Sequence, residues 1–119
     1  MRPSPTDTLL ALLVLAAAVA PAFGAEVEND YPTNARVDYV IGCMAANGET
    51  REAMERCACS IDVIASILPY DGYERAETIL AMRQGVGQQS AIFRSTKQFD
   101  DVVANLRRTQ AEAEIRCFK

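Results

Sequence analysis

Apolar residues recur at helical spacing along most of this chain, beginning with the stretch TNARVDYVIGCMAAN at residues 33–47. Aliphatic and thioether side chains stand here at positions i, i+3, i+4 and i+7, which is the pattern of an amphipathic helix. The hydroxyl of Thr33 can cap the start of this helix, and Asn47 and Gly48 provide a stop because glycine readily adopts positive φ. The apolar stripe of this first predicted helix consists of Val37, Val40, Ile41 and Met44.

A second helix is predicted to begin at Thr50, which can cap it, and to end at Pro69, which cannot continue it. The link between the two helices is short, so we expect them to pack as an antiparallel hairpin. The stripe of the second helix is almost continuous and consists of Met54, Cys57, Ala58, Ile61, Ile64, Ala65 and Leu68.

A third helix is predicted from about Gly72 to Gln84, with Gly85 as its stop. Asp71 stands just before this helix and Glu74 lies in its first turn, which gives the pattern D-x-x-E. This is an acidic version of the capping box, in which the aspartate caps the helix and the side chain of the glutamate reaches back to the capping residue. Ala76, Ile79 and Leu80 are expected to point inward.

The segment GVGQQSAIFRST is predicted to be a loop with one helical turn that carries Ile92 and Phe93 to the core. Ser95 and Gln98 then offer a second capping box for a last helix that runs to the C-terminus. The helically spaced residues of this last helix are Phe99, Val102, Val103, Leu106, Gln110, Ala113 and Cys117.

No segment alternates between apolar and polar residues as a β-strand would, so the predicted fold class is all-α. We expect a small bundle of about four helices over residues 33–119, preceded by a flexible acidic tail at residues 25–32. Residues 1–24 are predicted to be a cleaved signal peptide, because the apolar run LLALLVLAAAVA is too short to span a bilayer and is followed by small residues. Ala22 and Gly24 suit the −3 and −1 positions of cleavage, and the predicted location is the periplasm.

Composition narrows the possible functions of the exported part. The full chain has 12 basic and 16 acidic residues, a net charge of −4, which argues against a nucleic-acid partner. The absence of histidine excludes a Ser-His-Asp or Cys-His catalytic arrangement and removes the commonest metal ligand. A chain this short also has little room for a sugar cleft between paired carboxylates. We therefore expect no enzymatic activity.

The four cysteines, an even number in a short exported domain, predict two disulfides. Cys57 and Cys59 face different directions on a helix and cannot bond to each other. Cys43 and Cys57 lie at similar distances from the hairpin turn, which favours a Cys43–Cys57 bridge together with Cys59–Cys117. The swapped pairing, Cys43–Cys59 with Cys57–Cys117, stays open, as do a C-x-C redox centre and a structural zinc site.

Carboxylates are the remaining candidates for a ligand site, and oxygen ligands suit hard cations such as calcium or a lanthanide. The candidates are Asp62 on the second helix and Asp71, Glu74 and Glu77 at the start of the third. Such a site could be completed between two copies of the chain. Helix capping and solvation explain the same residues without a metal, and the D-x-D-x-D-G loop of an EF-hand is absent from the sequence.

The segments YPTNARVDYVIGCM, CACSIDVIA, LPYDGYERAET and AEAEIRCF together resemble a group of small exported proteobacterial proteins. These proteins are associated with periplasmic PQQ-dependent alcohol (methanol) dehydrogenases and with the handling of lanthanides in methylotrophs. The resemblance covers nearly the whole exported chain. It implies a non-enzymatic accessory protein that binds a metal ion or associates with a dehydrogenase, and it does not identify ligands. Oxygen chemistry leaves a lanthanide or calcium as the ion, and the residues alone also allow a cytochrome as a partner.

The alternative hypothesis is a disulfide-stapled protein-interaction module of partner-binding, immunity or chaperone type, with no metal. It predicts an exposed apolar patch, for which the aromatic residues Tyr70 and Tyr73 are the first candidates. Ile92 and Phe93 are further candidates, although a place in the core suits them better. A homodimer is compatible with either hypothesis.

Overall fold

A computed structural model describes residues 29–119, which form five α-helices without a strand. The helices are α1 (Thr33–Asn47), α2 (Arg51–Ile67), α3 (Tyr70–Arg83), α4 (Gln88–Ser95) and α5 (Lys97–Cys117). The all-α prediction is confirmed, and α1 ends at Asn47 as predicted. The single turn expected around Ile92 is instead the two-turn helix α4. The predicted signal peptide and residues 25–28 of the predicted tail lie outside the described residues.

Helix α5 packs against three helices, α2, α3 and α4, and α2 in turn packs against α1. The bundle is therefore organised around the pair of helices α2 and α5. The core joins these helices through apolar side chains, among which Ile64 and Leu106 are fully buried. Its members are Tyr31, Ile61, Ile64, Leu68, Tyr73, Ala76, Leu106 and Ala113.

Two helices begin earlier than the capping patterns predict, because prolines precede them. Pro32 and Pro69 are the N-cap residues of α1 and α3, with φ of −61° and −57°. Proline has its φ fixed near these values, and its carbonyl oxygen can accept the first helical hydrogen bonds. The carbonyl of Pro69 accepts from the backbone N–H groups of Gly72 and Tyr73. The predicted caps by Thr33 and by Asp71 with Glu74 are therefore wrong.

The predicted capping box of the last helix is also wrong. Thr96 is the N-cap of α5 without a side-chain capping bond, and the hydroxyl of Ser95 donates to the carbonyl oxygen of Ala91 at 2.9 Å. The predicted cap of α2 is confirmed, since the Thr50 hydroxyl oxygen accepts from the backbone N–H of Ala53 at 3.1 Å.

The glycine that ends α1 has the predicted conformation. Gly48 adopts a φ of +106° and donates its N–H to the carbonyl oxygen of Met44 at 2.8 Å. This turn closes the short link to α2, so that α1 and α2 pack as the expected hairpin.

The described end of the predicted tail, residues 29–32, is fixed to the bundle rather than loose. Tyr31 is buried, and its hydroxyl donates to the carbonyl oxygen of Leu68 at 2.8 Å. The carboxylate of Asp30 accepts from the backbone N–H of Tyr70 at 3.0 Å. The charge pattern of the segment suggested a tail, but the single aromatic residue decides its position because it completes the core.

Among residues 29–119, no helix is long and apolar enough to cross a membrane.

Candidate functional site

Each of the two disulfides joins two different helices. Cys43 on α1 is bonded to Cys57 on α2, and Cys59 on α2 is bonded to Cys117 at the end of α5. This is the favoured pairing, and all four thiols are used, so the redox and zinc alternatives have no free cysteine. Cys57 and Cys59 are two residues apart and so point to nearly opposite sides of α2, which allows this helix to be bonded to both α1 and α5.

Helix α1 is held on the surface of the bundle by this covalent bond more than by burial. Every one of its 15 residues is exposed or half-buried, although it carries four large apolar side chains. Val37 is 49% exposed and Ile41 is 62% exposed. The amphipathic stripe that the sequence predicts therefore turns partly away from α2 and faces solvent.

The exposed stripe of α1 and the adjacent face of α2 form an open groove of about 580 Å³. We call it the apolar groove, and its apolar lining consists of Val37, Val40, Ile41, Met44, Met54, Ala58 and Ile61. Met54 was expected on the inward stripe of α2, but it is 39% exposed here. Ala53 and Ser60 are buried in addition to the predicted Cys57, Ile61 and Ile64, so the inward face of α2 is shifted toward the side of Ala53 and Ser60.

Charged side chains stand at the two ends of the apolar groove in opposite pairs. Arg36 on α1 forms an ion pair and a hydrogen bond with Asp62 on α2 at one end. Glu55 lines the other end, and it pairs at 3.3 Å with Arg51, which lies one turn earlier on α2 outside the lining. All four side chains are substantially exposed, so each pair contributes little to folding stability but shapes the electrostatics of the groove.

The predicted contact residues Tyr70 and Tyr73 lie elsewhere, in a cluster of tyrosines. Their rings pack against Tyr31, with ring centroids 5.2 Å from it in each case. Tyr73 is buried and belongs to the core, and Tyr70 is half-buried. The hypothesis that they form an exposed aromatic patch is therefore wrong for Tyr73.

Burial raises the pKa of the Tyr31 phenol well above its ordinary value of about 10, and the nearby carboxylates of Asp30 and Asp71 raise it further. Burial likewise raises the pKa of the Tyr73 phenol, with Glu77 as the largest charge contribution. Both phenols are thus stabilised in the neutral form that packs in the core.

Ile92 and Phe93 take different positions in α4. Ile92 is 55% exposed, so its predicted place in the core is wrong. Phe93 is half-buried and stacks on Phe99 of α5, with ring centroids 4.9 Å apart. A two-turn helix has only a narrow inward face, and Phe93 occupies it.

The four candidate carboxylates are divided among different surroundings. Asp62 pairs with Arg36 beside the apolar groove, and Asp71 lies 3.7 Å from the guanidinium of Arg75. Asp71 and Glu74 line a common surface pocket, but Arg75 lines it with them. Within the part of the chain that the structure describes, no three acidic or cysteine side chains come together as ligands for a metal ion.

Glu77 has the most altered environment of the four. Although the residue as a whole is exposed, desolvation of its carboxyl group raises its pKa, and the guanidinium of Arg107 opposes this shift. A carboxyl group with a raised pKa is a weaker ligand for a hard cation at acidic pH, because the proton competes for the same oxygens.

Comparison with protein-family models, curated proteins and solved structures finds no significant match to this chain. Its function is therefore inferred from the geometry of its own surface.

Two features of the structure are missed by the sequence predictions. The role of Tyr31 is one, and its only signal is an aromatic residue within an otherwise polar segment. The apolar groove is the other. Its signal is present in the stripe of α1, but the stripe alone does not tell whether it faces the core or solvent.

Proposed function

We propose that this protein is a non-catalytic protein-interaction module of an oxidising, exported compartment, and that the apolar groove is its binding surface. The observation that carries this proposal is the solvent exposure of α1, whose apolar stripe is covered on one side only. Contiguous exposed apolar surface of this kind, with charged residues at its ends, is characteristic of interaction sites.

The shape of the groove suits a helical partner. Two antiparallel helices leave a furrow between them into which the apolar face of another helix can fit, with contacts at i, i+3, i+4 and i+7. Met44 and Met54 contribute flexible, polarisable side chains, which adapt to the contour of a partner. Such a surface gains free energy mainly by releasing water from aliphatic side chains.

The disulfide between Cys43 and Cys57 supports this function because it fixes the two walls of the groove to each other. A preorganised surface loses less conformational entropy on binding than a mobile one. The same bond supports an oxidising compartment, where structural disulfides persist. The periplasm and the predicted signal peptide are part of this proposal.

The accessory role in a PQQ-dependent dehydrogenase system, with a lanthanide or calcium ion bound by carboxylates, stays a prediction from the resemblance. Its direct test is a terbium titration of the chelator-treated protein, read through luminescence sensitised by Tyr70. Saturable luminescence that Asp71→Asn or Glu74→Gln weakens would support this role. Two of the candidate carboxylates, those of Asp62 and Asp71, form ion pairs with arginines, which counts against a metal site. The apolar groove supports the interaction module instead.

A photo-crosslinking experiment tests the proposed function. A photoreactive benzoylphenylalanine replaces Ile41 in the groove or, as the matched control, Ile115, which is 68% exposed on α5. We expect a discrete covalent adduct on illumination in the exported compartment for position 41, lost when Val37→Glu is added, and none for position 115. The absence of an adduct at position 41, or equal adducts at both positions, would refute the proposal.

A further inference from the structure

The proposed function leaves the occupant of the apolar groove open, and the charges at its ends narrow the choice. Resting on that function, we propose that the groove is filled by a second copy of this chain, related by a twofold axis that runs parallel to α1 and α2. The arrangement buries the two grooves against each other.

This axis gives each helix of the hairpin two antiparallel neighbours. A rotation about the helix direction places α1 of one copy over α2 of the other, while the two copies of α1 lie on a diagonal. The result is an antiparallel four-helix bundle built from two hairpins, with the exposed side chains of Val37 and Ile41 facing the partner's Met54 and Ala58. Exposed stripes on both walls then become the core of the bundle.

The ion pair at one end of the groove is complementary to itself under this symmetry. Arg36 on α1 and Asp62 on α2 lie across the groove from each other. The twofold axis brings Arg36 next to the partner's Asp62, and Asp62 next to the partner's Arg36. Four charges of alternating sign then form a closed ring, in which each guanidinium lies between two carboxylates. An axis perpendicular to the helices would instead place this end against Arg51 and Glu55.

The charge balance of the face also favours a second copy. The chain carries a net charge of −4, so two copies repel each other through most of their surfaces. The charges around the groove are nearly balanced, because Asp62 pairs with Arg36, and Glu55 pairs with Arg51, which lies outside the lining one turn earlier on α2. Electrostatic repulsion between two acidic molecules is therefore weaker at the groove than over the rest of their surfaces.

The size of the face predicts a dimer that exchanges with monomer. A helix of 15 residues is about 23 Å long, and two packed helices are about 20 Å wide, which gives roughly 450 Å² per copy. Twice this area is roughly 900 Å², which is below the range of stable interfaces and within that of weak, transient ones. We therefore expect the mass of the particle to depend on protein concentration.

Sedimentation velocity of the oxidised protein over a hundredfold concentration range measures this equilibrium. We expect the weight-average mass to rise from one chain to two. Ile41→Glu places a carboxylate at the centre of the interface and should keep the protein monomeric throughout the range, with an unchanged helical circular-dichroism spectrum. Ile115→Glu is the matched control and should dimerise as the original chain does. A dimer that survives Ile41→Glu would overturn the proposal.

Charge exchange tests the twofold geometry separately from burial. Asp62→Arg gathers four positive charges at one end of the dimer and should weaken association at least tenfold. The double variant Arg36→Asp with Asp62→Arg restores alternating signs in the ring and should recover most of the affinity. If the double variant is as weak as the single one, the ring is absent and the proposed axis is wrong.

The photo-crosslink at position 41 separates failure of this inference from failure of the proposed function. An adduct of twice the chain mass, formed also by the purified protein, supports the second copy. An adduct with another protein, together with a monomeric purified chain, overturns the dimer and leaves the interaction module standing. No adduct and a monomeric chain overturn both.

Discussion

Removing the disulfide between Cys43 and Cys57 is expected to release α1 from an otherwise intact bundle. Helix α1 has no fully buried residue to hold it, whereas the core residues Ile64 and Leu106 lie on α2 and α5. The bridge spans a sequence separation of 14 residues. Closing a loop of about this length is worth roughly 3 kcal/mol in the chain-entropy model, a large share of the stability of a small domain.

The perturbation is the double variant Cys43→Ala/Cys57→Ala, and the assay is amide hydrogen exchange read by mass spectrometry. Measured at the lowest practical concentration, so that self-association does not contribute, residues 33–47 should exchange much faster than in the original chain. Peptides from α2 and α5 should keep most of their protection, and urea unfolding should give a free energy about 3 kcal/mol lower.

The matched control is Cys59→Ala/Cys117→Ala, which opens the other bridge. Its sequence separation is 58, for which the same model gives about 4 kcal/mol. The loss of global stability should be larger, but α1 should stay protected relative to the rest of the chain. Equal exchange of residues 33–47 in the first variant and in the original chain would refute the reasoning, because non-covalent contacts alone would then hold α1.

Two further predictions concern the core, and a third concerns the cap of α2. Because the folded pKa values of Tyr31 and Tyr73 are raised, their contribution to stability is complete below about pH 10 and is lost above it. Urea unfolding should show a loss of up to about 1.4 kcal/mol per tyrosine per pH unit, and Tyr73→Phe should reduce this slope. An unchanged slope would contradict the burial argument. Leu106→Ala should cost about 2–5 kcal/mol by thermal or urea unfolding, against less than about 0.5 for Ile115→Ala. Thr50→Ala should cost about 1 kcal/mol and Thr50→Ser much less, since only the alanine removes the cap.

The sequence predicts the helices well where their signals are local. The stripe and the glycine stop define α1 correctly, and Thr50 marks the start of α2. It fails where two local signals compete for one helix end. Pro69 and Asp71 could each begin α3, and the structure has Pro69 as the N-cap residue, with its carbonyl accepting the first hydrogen bonds of the helix.

The candidate site is less accessible to sequence reasoning than the fold. The four candidate carboxylates lie within 16 residues of one another in the sequence, at Asp62, Asp71, Glu74 and Glu77. Their surroundings nevertheless depend on which arginines pack against them in the folded chain. Likewise, an aromatic residue near a turn can be a contact or a core residue. Tyr73 becomes a core residue because Tyr31 folds back onto it from a segment that looks like a tail.

The sequence by itself determined that this chain is helical and cysteine-bridged, because periodicity, caps and cysteine count are local or compositional properties. It favoured the observed disulfides without excluding the swapped ones. Cys57 and Cys59 lie on different faces of one helix, and the pairing depends on which of these faces packs against α1 and which against α5. Only the tertiary structure decided that the stripe of α1 is left uncovered. An amphipathic pattern indicates that one face of a helix is apolar. The packing of the other helices determines whether that face is buried within the same molecule.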